Sequence, residues 1–102
     1  MSEGVGRDLY VLTICGVGMG SSLMLRMTAE EALRELGVGA RVEARDLSSV
    51  RSLHPDIIIG QGVHTAEIEN AAPIAITVTN FLDRDGIRRE LQQRLREAGW
   101  IT

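Results

Sequence analysis

Leu9-Tyr10-Val11-Leu12-Thr13-Ile14-Cys15-Gly16-Val17-Gly18-Met19-Gly20-Ser21-Ser22 decides the reading of this chain. The first six residues are an almost continuous apolar run, as expected of a strand buried on both faces of a parallel sheet. Glycines at alternate positions then let the backbone curl with its N–H groups turned inward. Such a nest, running onto a helix N-terminus, is an anion site through its free donors and partial positive charge. A thiol at its mouth sits in a field that favours its anion.

Downstream of this stretch the pattern repeats. A helix is predicted from about Ser22 to Leu36, with Ser21 or Ser22 as its cap. Leu25, Ala29, Ala32, Leu33 and Leu36 share one face, and Gly37 and Gly39 end it. Arg41-Val42-Glu43-Ala44-Arg45 reads as a polar edge strand, followed by a short helix around residues 48–53. Asp56-Ile57-Ile58-Ile59-Gly60 is the clearest strand, and a loop with a short helix spans about Gln61 to Ala71. Ile74-Ala75-Ile76-Thr77-Val78 is the fourth strand. Ile87, Leu91 and Leu95 mark the buried face of a last helix over residues 84–97. Residues 1–7 read as a mobile tail, and residues 8–102 as one domain.

Strand and helix alternate four times, which predicts a three-layer α/β domain with a parallel sheet of order 2-1-3-4. Ligands of such folds sit beyond the carboxyl ends of the strands, where the first loop lies. The chain's 102 residues suffice for one core, with about 60–70 % of the unfolded surface buried by size scaling. The net charge of −3 gives no footprint for nucleic acid. One cysteine excludes an internal disulfide, and one cysteine with two separated histidines forms no zinc constellation. No stretch reaches the ~18 apolar residues of a membrane span, and the opening MSEGVGR lacks a signal-peptide core. The expectation is a cytoplasmic protein with no cofactor and no metal.

Cys15 is thus the candidate nucleophile. Gly16, Val17, Gly18, Met19, Gly20, Ser21 and Ser22 form the candidate phosphate cradle. The plainer alternative makes Cys15 a small buried hydrophobe and the glycines packing residues. Walker A fails, because Ser21 follows Gly20 and the chain contains no lysine. A dinucleotide fingerprint wants glycine where Ser21 stands, and Asp46 lies late for a ribose ligand. A small cysteine phosphatase of the low-molecular-weight type shares this topology but needs arginine six residues after its cysteine. That position is Ser21, so the guanidinium clamp on the phosphoryl group is missing. Asp83 and Asp85 occupy the region of such a phosphatase's general acid, or else cap the last helix. His64 is a possible phosphate contact or a plain loop residue, and Arg26 a partner contact or a solvated helix position. Met19, Leu23 and Met24 are placed as an apolar docking rim, with Met24 alternatively in the core.

The cysteine loop, with Leu23-Met24, Asp56-Ile57-Ile58-Ile59, Glu67-Ile68 and Asn80-Phe81-Leu82, resembles the IIB components of bacterial sugar phosphotransferase systems. Within them it is most similar to the L-ascorbate-type branch, over roughly residues 8–97. The resemblance implies that Cys15 receives a phosphoryl group from a phosphohistidine IIA protein. It would then pass the group to sugar held by the membrane IIC transporter, with which this chain associates peripherally and without inserting. A hydrolytic cysteine phosphatase and a non-covalent anion-binding module remain the alternatives.

Overall fold

A computed structural model describes residues 8–15, 19–62, 65–80 and 82–101, and of residues 19–22 and 65 the backbone alone. The elements are β1 (Leu9–Cys15), α1 (Met19–Glu35), β2 (Ala40–Ala44), α2 (Val50–Leu53), β3 (Ile57–Gln61), α3 (Thr65–Ile68), β4 (Ile74–Val78) and α4 (Arg84–Glu97). A single 3₁₀ turn, Leu47–Ser49, leads into α2. All pairings are parallel, and the sheet order is β2-β1-β3-β4. The predicted fold class and strand order are both present.

Side chains alternate across the strands and so divide the core in two. Leu9 and Val11 of β1, Ile57 and Ile59 of β3, and Ile74 and Ile76 of β4 face α1 and α4. There they meet Leu25, Ala29 and Leu33 of α1 and Ile87, Leu91 and Leu95 of α4. Leu12, Ile14, Ile58 and Ala75 face the other way, onto Val50 of α2 and Ile68 of α3. Central strands buried on both faces account for the unbroken apolar runs in β1 and β3.

Two boundaries differ from the sequence reading, and both concern the decisive stretch. Cys15 is the last residue of β1, paired with Gln61, and not the first of the loop. Helix α1 begins at Met19, so Ser21 and Ser22 lie inside its first turn and are not its N-cap. Glycine at position 20 argued against helix there, at about 1 kcal/mol. The packing of Leu25, Ala29 and Leu33 outweighs that cost.

The sheet's two edges are treated differently. On β2, Glu43 accepts from the Tyr10 hydroxyl at 2.8 Å and from Arg45 at 3.0 Å, and the Arg41 guanidinium lies 4.4 Å from the Tyr10 ring centre. On β4, the Ile74 N–H donates inward to the Asp56 carbonyl, so the alternate residues Ala75 and Thr77 turn their backbone groups to the open edge. Arg94 of α4 reaches across to this edge, its Nη1 donating to the Ala75 carbonyl at 3.2 Å.

Candidate functional site

The site assembles at the carboxyl end of the sheet because β1, β3 and β4 end in register. Cys15 pairs with Gln61, and Gln61 with Val78, on neighbouring strands. Residues paired in a parallel sheet point to the same face. The Cys15 and Gln61 side chains therefore lie together on the side of the sheet covered by α1 and α4. Cys15 Sγ donates to Gln61 Oε1 at 3.4 Å, and Gln61 Nε2 donates to the Thr79 backbone carbonyl at 3.3 Å. Gly62, with φ of 73°, turns the chain sharply away just after Gln61.

Three residues separate Cys15 from the start of α1 at Met19. The first turn of any helix carries N–H groups without intrahelical acceptors, here those of Met19, Gly20 and Ser21. They supply the positive end of a 17-residue helix dipole close to the sulfur in sequence. Gly16, Val17 and Gly18 lie outside the described residues, as do His64 and the side chains of Met19, Ser21 and Ser22.

Asp83, weighed as a general acid, is occupied otherwise. Its side chain caps α4 by accepting from the Gly86 N–H at 3.1 Å. Asp85 lies 3.9 Å from both Arg84 and Arg88. Arg26 pairs with Glu30 one turn along α1 at 4.0 Å through an Nε that is itself shielded from solvent. Among the described residues, no arginine contacts the Cys15 sulfur.

Of the three residues expected to form an apolar rim, the Met19 side chain lies outside the described residues and the other two are at the surface. Leu23 and Met24 are exposed, which takes Met24 out of the core. Met27, one turn on, is 59 % exposed, and Leu82, in the loop between β4 and α4, is 60 % exposed. Sequence reasoning missed Met27, Leu82 and Gln61. Gln61 carried a usable signal, being the first polar residue after Ile57-Ile58-Ile59-Gly60 and hence at the ligand end of a central strand.

A cysteine that ends a central strand of a four-stranded parallel sheet, separated by three residues from the next helix, defines the class: a small α/β domain with its candidate site at the carboxyl end of the sheet. The comparisons place the chain within it. Residues 10–93 match the family model of the lactose/cellobiose-specific IIB subunit of the phosphotransferase system, and the chain belongs to that family. It is 32 % identical over 92 residues to the ascorbate-specific phosphotransferase-system EIIB component of Mycoplasma pneumoniae, covering 87 % of this chain and 97 % of that protein. Two solved structures share the fold at a TM-score of 0.58. One is the lactose-specific IIB domain of Streptococcus pneumoniae, at 16 % identity over 90 % of this chain and 95 % of that one. The other is an enzyme IIB subunit from Escherichia coli K12, at 18 % identity over 92 % and 98 %. The chain is therefore a IIB component of a sugar phosphotransferase system, a family of phosphotransferases that works with IIA and IIC partners. Among its described residues no helix is long and apolar enough to cross a membrane.

Proposed function

We propose that Cys15 is a covalent way-station for a phosphoryl group, loaded by a phosphohistidine IIA protein and emptied onto a sugar held by a membrane IIC transporter. The observation that carries this reading is the position of the sulfur, at the end of a central strand and separated by three residues from the start of α1. In loading, the Cys15 sulfur attacks phosphorus in line. The S–P bond forms as the P–N bond breaks, and the electron pair returns to the imidazole nitrogen. The thiol proton ends on that nitrogen, directly or through water, leaving neutral histidine and a phosphocysteine. In unloading, a sugar hydroxyl takes the phosphoryl group, and its proton returns to sulfur. Gly16, Val17, Gly18, Met19, Gly20, Ser21 and Ser22 hold the phosphoryl oxygens in this scheme, with the free N–H groups at the start of α1 as donors.

The ascorbate-specific relative supports L-ascorbate or a related acidic sugar as cargo. The exposed Leu23, Met24, Met27 and Leu82 suit successive weak docking of two partners at the cytoplasmic membrane face. Ser21 in place of a clamping arginine, and the use of Asp83 as a helix cap, count against phosphatase chemistry.

Incubation with phosphorylated IIA followed by intact-mass measurement tests the proposal. The expected result is one added phosphate on the wild type and none on Cys15→Ser. Turnover of an aryl phosphate without a stable adduct would instead support the phosphatase. Neither adduct nor turnover, with an active donor, would leave a non-covalent anion-binding module.

A further inference from the structure

Both ends of the Gln61 amide are committed, and chemistry fixes which end faces which partner. The Thr79 backbone carbonyl can only accept a hydrogen bond, so the Gln61 Nε2 must face it, as it does at 3.3 Å. Gln61 Oε1 is thereby turned to Cys15 Sγ at 3.4 Å. Sulfur satisfies that oxygen only while it carries its hydrogen. The amide thus fits the resting thiol and misfits any form of residue 15 that can only accept. A phosphocysteine is such a form, because its phosphoryl oxygens want donors.

We propose that Gln61 is a positioning residue that reads the state of Cys15 and passes it to the loop between β4 and α4. When a phosphoryl group replaces the thiol hydrogen, the amide turns over and offers Nε2 to the phosphoryl oxygens. Oε1 would then face the Thr79 carbonyl, acceptor against acceptor, so the hydrogen bond that ties β3 to Thr79 is lost. The inference rests on the carrier reading of Cys15.

The loop beyond Thr79 is built to respond. The Leu82 N–H donates to Asn80 Oδ1 at 2.9 Å and the Asp83 N–H to the Asn80 carbonyl at 3.1 Å, which ties Leu82 and Asp83 to Asn80. Leu82, held in this way by Asn80, is exposed. Release of Thr79 changes how Leu82 is presented, so the loaded and empty carriers show different apolar surfaces. A protein that must meet one partner empty and another loaded gains a means of distinguishing them.

The test uses the full chain and three readouts. Since Cys15 is the one cysteine, the S–H stretching band in a Raman spectrum reports its hydrogen bond alone. It should move to higher wavenumber in Gln61→Leu, and an unmoved band would overturn the contact. Where leucine disturbs the strand, Gln61→Met keeps an unbranched chain of similar length. Amide NMR then compares Cys15→Ser, which keeps a donor, with Cys15→Asp, which offers only acceptors. Displaced Asn80 and Leu82 resonances are expected between the two, collapsing when Gln61→Leu is added. Displacements that persist in the Gln61→Leu background would overturn the coupling. Wild type phosphorylated by the phosphohistidine donor should show the Cys15→Asp pattern, and phosphorylation that leaves Asn80 and Leu82 unmoved would also overturn it. If the donor fails to phosphorylate Cys15 at all, the carrier reading falls, while the first two readouts still judge Gln61.

Discussion

Asp83 closes the first turn of α4 with its own carboxylate, and Gly86 is the residue that makes room for it. A Cβ on residue 86 would lie 2.9 Å from the Asp83 carboxyl carbon. Asp83→Ala should cost about 1 kcal/mol, the usual value of a lost N-cap. Gly86→Ala should fail to deliver the ~1 kcal/mol that alanine normally gains over glycine inside a helix. In the Asp83→Ala background the obstruction is gone, and the same substitution should stabilise. Urea denaturation of the four proteins in this cycle measures the coupling. A second side-chain prediction concerns acid. The Tyr10 hydroxyl, with help from Arg45 and Arg41, holds the Glu43 carboxyl below its ordinary 4.5. A carboxyl so depressed contributes stability above its unfolded value, and that contribution is lost as pH falls through the folded value. Thermal midpoints measured from neutral to acid pH should therefore drop less steeply in Glu43→Gln than in wild type.

At the scale of elements, α1 and α4 lie side by side on the sheet, joined by two kinds of contact of unequal weight. Arg88 reaches Glu35 at 3.4 Å through an Nε shielded from solvent, while Arg84 reaches Glu31 and Glu35 at 3.3 Å each from the solvent side. Pairs on the solvent side are screened and contribute little. Leu91 is fully buried between the sheet and α1. Leu91→Ala should cost about 2–5 kcal/mol, while Arg84→Ala should leave the denaturation midpoint nearly unmoved. The buried periodicity of Ile87, Leu91 and Leu95 was readable from the sequence, and so were the runs that became β1, β3 and β4. Burial on one helix face or on both strand faces writes itself into residue type. The start of α1 was not readable, because local propensity placed Gly20 outside a helix whose packing keeps it inside. Gln61 was missed for a related reason. Its place at the ligand end of a central strand was legible, but its contact with Cys15 comes from register between two strands, which no local pattern carries.

Across the whole molecule, the alternation of strands and helices was enough to anticipate the layers and the strand order. It could not say how the ends of the sheet are closed. Amide exchange should be slowest at Val11–Ile14 and Ile57–Ile59, the central strands with partners on both sides. The open edges are another matter, since unpaired strand groups invite a second copy of the chain. On β2 the deterrent is charge, supplied by Arg41, Glu43 and Arg45. On β4, whose exposed strand residues are uncharged, Arg94 occupies the Ala75 carbonyl. The bond from Arg94 to Ala75 thus acts as a guard on colloidal behaviour as much as a stabiliser of α4. Removing it by Arg94→Ala should show first as concentration-dependent association in sedimentation, at protein levels where the wild type stays monodisperse. On the carrier reading proposed above, a protein that meets two partners in turn has reason to keep its flank closed to itself.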